Sequence, residues 1–540
     1  MTVSRITGGE AVLRTFETQT AGSVFGLPGS SSVPIFHEFP NTALRFVPAL
    51  QEGAALATAD GYARIAGLTG VLLYMLPGAA TAMSNLYNAH RDDTPLLIVI
   101  SQQATSARWG QGSVGEADIA DLVAPFTRFC REVSNSAQLV SVLDAACRAA
   151  LAPPEGPAVV VVPEDVLTAK VEWSLSAAHR RQESTAIIDD ALLDRFLTSE
   201  RPLIVVGGQL RRAGGSAAIE ELADKFDVPI MYEPFWNDRL GVSPGHRCVL
   251  GQLGIRSSLA STADWVLAIG CRMFNEVHPR TDRWFPEDSF VMHVNADPMK
   301  VEQTSKATWS SAVDTGAFAT SFVEMCQGRK LDESRRTARR SRLADAISRR
   351  SVPRPGFYTE AVEALAGEPD MSWLVDESVS GNQPLMSALR STNGERYVST
   401  TGGSLGWGIG AACGIALARN GEPVTCVLGD GAFFFGVQAL WPAVSMNLPI
   451  TFVVLDNGGF DSTRWFESRY AKSHSRGSEE ARFVGSNFAS LGRSVCEVAR
   501  GFGLQAHDVV DRALAETLAK FRGTGPVVLR VPLDSEFNRS

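Results

Sequence analysis

Short, nearly continuous apolar runs recur along this chain with helical stretches between them, and that alternation limits the folds open to it. The runs are Val71–Met75, Leu96–Ile100, Ala158–Val162, Leu203–Val206, Trp265–Ile269, Val424–Leu428, Ile450–Leu455 and Val527–Val531. Their β-branched, almost unbroken apolar character suits strands buried on both faces. Between them, stretches such as Glu52–Ile65 and Gly215–Phe226 place apolar residues at helical spacing. Repeated β–α alternation predicts parallel sheets with helices on both faces, a doubly wound α/β architecture. At 540 residues the chain exceeds one such core, and at about 100–200 residues per domain three are expected.

Two breaks mark the boundaries. Around 168–188 the pattern lapses into a polar, irregular stretch, and around 328–356 comes an arginine-rich segment ending at Pro353 and Pro355. The second is read as a solvated helical linker. The expected domains are therefore 1–168, 188–327 and 357–534.

Charge and composition narrow the functional classes. With 50 basic against 59 acidic residues, the net charge of −9 argues against a nucleic-acid partner, which would need a basic face. No apolar run reaches the roughly 18 residues of a membrane span, and the first residues lack the apolar core of a secretory signal. The eight cysteines are scattered with no C-x-x-C, so neither a disulfide framework nor structural zinc is expected. A cytoplasmic protein is the expectation.

The strongest chemical signal is Gly429-Asp430-Gly431, directly after the run VTCVL. It is followed, beyond a 25-residue spacer (432–456), by Asn457-Gly458-Gly459, at the end of the run ITFVVL. Both groups fall at carboxyl ends of parallel strands, where open α/β sheets bind ligands. Asp430 offers a carboxylate oxygen and Asn457 an amide oxygen. The glycines allow close backbone approach to an anion and leave carbonyls free as ligands. Hard oxygen donors of this kind suit Mg²⁺ shared with a diphosphate.

This pattern resembles the cofactor motif of the thiamine diphosphate enzymes, and the resemblance extends over essentially the whole chain. The continuation N-G-G-F-D-S-T-R-W-F is similar to the benzoylformate decarboxylase branch. The resemblance implies a pyrimidine-binding first domain, a Rossmann-like middle domain and a diphosphate-binding third domain. It makes Asp430, Asn457 and the backbone carbonyl of Gly459 the Mg²⁺ ligands, and it places Gly431, Ala432 and Phe460 at the diphosphate. Asp456 departs from relatives that carry Asn there. Thr401-Gly402-Gly403-Ser404-Leu405-Gly406 is similar to the segment beneath the bent cofactor. Leu405 is then the apolar wedge, and the Gly403 carbonyl accepts from the 4′-amino group. Asp376–Asn382 matches the other diphosphate loop, with Ser380 as its hydroxyl.

In the first domain the resemblance makes Glu52 the carboxyl that bonds N1′ of the aminopyrimidine. Val24–Ser30 resembles a decarboxylase loop in which Pro28 meets the cofactor and Ser30 the substrate. Tyr74 stands where benzoylformate decarboxylases carry a catalytic histidine, and a phenol relays protons near neutrality less readily than an imidazole. Gln102-Gln103 matches the decarboxylase pattern, whereas Gly115–Ile119 is similar to acetolactate synthases. In the middle domain, Gly207-Gly208 and Gly214-Gly215 do not form G-x-G-x-x-G, and no FAD is expected. His278 lies one residue beyond the position of a second decarboxylase histidine. The other seven histidines have no motif context.

The activity so implied is non-oxidative decarboxylation of a 2-oxo acid, through an enamine, with release of an aldehyde. A carboligase resembling acetolactate synthase is the alternative. A non-catalytic, cofactor-binding subunit is a third reading of another class. The implied assembly is a homodimer or homotetramer with sites at the dimer interface.

Overall fold

The computed structural model describes residues 4–108, 110, 117–174, 188–234, 237–254, 257–274, 283–302, 307–349, 357–367, 372–389, 396–474, 483–488, 494–509 and 513–533. The fold is α/β with three domains, each built on a mostly parallel sheet. The first sheet runs in the order Arg45–Pro48, Ser23–Gly26, Thr69–Tyr74, Leu96–Gln102, Pro157–Pro163, Phe129–Glu132, all parallel. Its central strands Leu96–Gln102 and Pro157–Pro163 are buried at every residue, as their unbroken apolar runs require.

The middle sheet orders Val249–Gln252, Ile230–Tyr232, Pro202–Val206, Trp265–Ile269, Phe290–Asn295 and Trp309–Ala312, again all parallel. In the third, a six-stranded sheet, Trp373–Glu377, Val424–Gly429, Ile450–Asp456, Val527–Pro532 and Gln505–Asp508 follow one another in parallel.

Residues 1–181, 372–380 and 400–540 gather into one compact unit, and 182–371 with 381–399 into another. In the first unit the helix Glu52–Ala66 lies directly on the helix Gly408–Ala418. The approach is backbone to backbone. A Cβ on Gly61 would stand 2.2 Å from the Ala411 carbonyl oxygen, and one on Gly414 would stand 2.0 Å from that of Thr58.

Three local features differ from the sequence reading. Lys170–Trp173, in the stretch read as irregular, pairs antiparallel with Ser4–Thr7. Met75 closes no strand. It opens the helix Met75–Arg91 with φ 48°, because the chain passes from strand to helix there without a loop. The arginine-rich segment is not a solvated linker throughout. Within the helix Glu333–Ser348, Arg339 is 1% exposed and donates to the carbonyls of Phe196 and Ser199, while Arg342 donates to those of Pro202 and Leu259. Burial draws both guanidinium groups down to about 10. Carbonyl oxygens left over at element ends are strong acceptors for a forked donor, which explains how so polar a helix packs.

Candidate active site

Gly429 and Leu455 are register partners on adjacent parallel strands, so Asp430 and Asn457 emerge side by side. Asp430 is buried and opens the helix Asp430–Gly436. Its Oδ1 accepts from the Gly431 amide at 2.9 Å, while Oδ2 is buried and accepts no hydrogen bond among the described residues. Burial first, and then the nearby Asp456 carboxylate, push Asp430 up to about 7. Asp456 is itself paired with Arg530 at 2.5 Å and accepts from Gly458 N at 3.0 Å, so the oxygen left to be satisfied by a proton or a cation is Asp430 Oδ2. Asn457 Oδ1 accepts from Gly459 N at 3.2 Å, and an amide oxygen is a neutral, hard donor to a cation. The donor set therefore suits a hard cation.

The loop that carries Asn457 is pinned by a residue sequence reasoning left without a role. Arg464, fully buried, donates to the carbonyls of Ser486 (3.1 Å), Gly458 (2.6 Å) and Asn457 (3.4 Å) and pairs with Asp461 at 2.9 Å. The R-W-F continuation was its signal. Phe460 lies over Gly431, where a Cβ would meet its ring at 2.5 Å, and meets Phe488 edge-on at 4.6 Å. Ala432 is buried beside them.

Gly403 is exposed and left-handed at φ 75°, and Leu405 is half-buried. The amides after Leu405 are gathered by Glu377, a second residue that sequence reasoning passed over. Its carboxylate accepts from Gly406 N (2.9 Å), Trp407 N (3.1 Å) and Gly408 N (2.8 Å). Burial lifts Glu377 to about 7, although the three amide bonds pull the other way. The folded state thus holds this proton more tightly than the unfolded chain. The stabilising share is full below about 4.5 and is lost as pH rises through about 7. In metal-free protein, the melting temperature should fall more steeply between about pH 5 and pH 8 in the wild type than in Glu377→Gln. Parallel curves would contradict this assignment. Ser380 is exposed, in a turn after Val379 at φ 52°.

In the first domain, Glu52 is the first residue of its helix, behind Gln51, whose side chain accepts from Ala54 N at 2.9 Å. Thr81 Oγ1 donates to Glu52 Oε2 at 2.7 Å. Gly78 leaves room for the carboxylate, since a Cβ there would come within 3.0 Å of Oε1. Ser30 and Tyr74, 44 residues apart, meet through their hydroxyls at 3.1 Å. Gly29 makes this possible, because a Cβ there would lie 2.0 Å from the Tyr74 ring. Pro28 is exposed beside them. Gln102 is buried, and its Oε1 accepts from Gln103 N at 2.9 Å. His278, Gly115 and Glu116 lie outside the described residues.

Comparison with known families bears directly on this arrangement. Residues 6–122 match the thiamine pyrophosphate enzyme N-terminal TPP binding domain, 190–321 the central domain and 381–531 the C-terminal TPP binding domain. The chain belongs to the thiamine diphosphate enzyme family. Within this family it is similar to a benzoylformate decarboxylase of Pseudomonas aeruginosa, at 27% identity over 94% of this chain and 96% of that one. It is also similar to an acetolactate synthase of Arthrospira platensis, at 26% over 98% and 94%. Among solved structures, the thiamine diphosphate-dependent 4-hydroxybenzoylformate decarboxylase of Rhodococcus jostii RHA1 superposes with a TM-score of 0.84 at 23% identity, covering 98% of this chain and 100% of that one. That likeness speaks for the fold.

Membership makes the chain an enzyme whose first and third domains are thiamine diphosphate-binding modules. Among the described residues no helix is long and apolar enough to cross a membrane. The cluster Asp224, His246 and Cys248 in the middle domain has its carboxylate already paired with Arg247 at 2.5 Å, and it reads as an ion-pair network.

Proposed function

We propose that this enzyme decarboxylates a 2-oxo acid without oxidation and releases an aldehyde, in the manner of a benzoylformate decarboxylase. The observation that carries the reading is the Ser30–Tyr74 hydroxyl pair, set at the carboxyl end of the first sheet in a domain that also presents Glu52. Thiamine diphosphate, when bound, supplies a carbon nucleophile for the keto carbon and an electron sink for the leaving CO₂. Glu52 holds and moves a proton at N1′ of the pyrimidine. Ser30 and Tyr74 offer neutral O–H donors that hold the substrate carboxylate and orient the keto group. His278 is a further candidate for proton transfer.

Asp430, Asn457 and the Gly459 carbonyl hold Mg²⁺, as the unsatisfied buried oxygen of Asp430 supports. Gly431, Ala432, Phe460 and Ser380 line the diphosphate, and Pro28, Gly403 and Leu405 shape the cofactor's bend. Domain limits of 1–168, 188–327 and 357–534 go with this reading, as does an active homodimer or homotetramer. Sedimentation of an active monomer would count against the assembly.

A second reading, carboligation, is favoured by one observation. Tyr74 occupies the place of a relay histidine, so an acceptor carbonyl would take the role of the proton. The enzyme should be incubated with thiamine diphosphate, Mg²⁺ and, in turn, benzoylformate, pyruvate and branched 2-oxo acids, with products read by NMR. Aldehyde alone is expected, and acyloin or acetolactate would overturn decarboxylation in favour of ligation. Tyr74→Phe should lower kcat/KM for the preferred acid by about tenfold, the worth of one hydrogen bond.

A further inference from the structure

The segment Thr400–Gly408 is held at its start, middle and end, and most of the grip comes from the first domain of the same chain. Asp92, which caps the helix Met75–Arg91, is 2% exposed. Its Oδ1 accepts from Thr401 N at 2.9 Å and from Thr401 Oγ1 at 2.5 Å, and its Oδ2 accepts from Thr400 Oγ1 at 2.6 Å. The same Oδ2 pairs with Arg64 at 2.6 Å, and Arg64 in turn pairs with Asp60 at 2.9 Å. Asp60 accepts from the Trp407 indole at 2.5 Å and from Thr94 at 2.7 Å, and the Arg64 guanidinium lies 4.7 Å from the Trp407 ring centre.

Asn88 takes the middle of the segment. It donates to the Ser404 carbonyl at 2.9 Å and accepts from Ser404 N at 3.2 Å. It leans on Asn85, which donates to the carbonyl of Gly53, next to Glu52. Glu377 takes the end of the segment, through the three amides described above. None of these bonds falls on Gly403 or Leu405.

Asp92 and Asp60 are buried carboxylates bound to the buried Arg64 guanidinium, and neutral donors supply further hydrogen bonds to their oxygens. Several of those donors belong to the segment itself: two threonine hydroxyls, one amide and one indole. A shift of the segment would strip them from charges that water does not reach, so the network accepts one placement of the backbone.

We propose that Asp92, supported by Arg64 and Asp60, is a positioning residue that fixes Leu405 and the Gly403 carbonyl for the cofactor. This rests on the reading that those two residues meet thiamine diphosphate. The network touches neither substrate nor reacting atoms, and its effect passes through the backbone of Thr400–Gly408.

The test variant is Thr401→Val, which keeps volume and the Asp92–Arg64 pair but removes one donor. Thr401→Ser serves as the conservative rescue, and Asp92→Asn is a second, independent lesion. Two readouts apply: amide hydrogen exchange of peptides spanning 401–407 in cofactor-free protein, and the thiamine diphosphate Kd by calorimetry at saturating Mg²⁺. Thr401→Val should speed exchange in that segment and weaken the Kd, each by about tenfold. Thr401→Ser should stay within about threefold of wild type in both. The KM for the 2-oxo acid should hardly change. Wild-type exchange together with wild-type Kd in Thr401→Val and Asp92→Asn would overturn the proposal. So would faster exchange with an unchanged Kd. Failure of the wild type itself to bind thiamine diphosphate would instead overturn the functional reading.

Discussion

Glu52→Gln is expected to lower kcat for 2-oxo acid turnover by about 10²- to 10⁴-fold, the range that a positioned proton-transfer group contributes, while leaving the fold intact. The substitution keeps the size of the side chain and an oxygen that can still accept from Thr81. The helix start is secured independently by the Gln51 cap. What is lost structurally is the interaction of one acid with a helix N-terminus, about 0.3–1 kcal/mol. What is lost chemically is the only proton the side chain could give or take. The discriminating measurement is exchange of the thiazolium C2 proton in D₂O, followed by NMR in the holoenzyme. Exchange should slow in parallel with kcat, while the thiamine diphosphate Kd changes by no more than about tenfold, one hydrogen bond's worth. If turnover stayed within a few fold of wild type, Glu52 would not be the proton-handling group.

The parts of the fold legible in the sequence are those where burial is two-sided. Leu96–Gln102, Pro157–Pro163 and Ile450–Asp456 are interior strands, and apolar side chains at successive positions announce them. Edge strands carry no such signal. Trp309–Ala312 alternates half-buried and exposed residues, and Gln505–Asp508 buries only Ala506, so each is polar enough to pass for a loop. Lys170–Trp173 escaped for the same reason.

The site divides in a similar way. Glycine-flanked motifs at strand ends are local in sequence, which is why Asp430 and Asn457, and by resemblance the Gly403–Leu405 segment, could be singled out as candidates. The residues that hold those motifs are not local. Glu377, Asp92 and Asn88 act across 29 to 316 positions of chain, and nothing in their neighbouring residues points to the partner. Arg339 shows the converse error. Its charge-rich surroundings suggested water, whereas its guanidinium is spent on carbonyls of the middle domain.

The proposed metal site makes the sharpest thermodynamic prediction, because it reverses sign between two conditions. Without a cation, Asp430 is a buried carboxylate with one unsatisfied oxygen beside Asp456, and burial lifts it to about 7. Its folded-state proton is held more tightly than in the unfolded chain. The site therefore becomes a growing liability as pH rises from about 4 through about 7. An amide carries no such cost. In EDTA at about pH 8, Asp430→Asn should melt higher than the wild type, and near pH 4 the difference should vanish. Adding Mg²⁺ with thiamine diphosphate should reverse the order. At 100 times its Kd a ligand stabilises the folded state by about 2.7 kcal/mol, so the wild type gains several degrees and the variant gains little. Turnover should follow the same pattern, falling to background in EDTA, returning with Mg²⁺ in the wild type and remaining absent in the variant. Scanning fluorimetry with and without the cation reads both halves. A Mg²⁺-dependent shift of wild-type size in Asp430→Asn would mean that the cation is held elsewhere. An unchanged melting temperature in EDTA would mean that the unpaired oxygen is satisfied by a proton shared with Asp456, not by a metal.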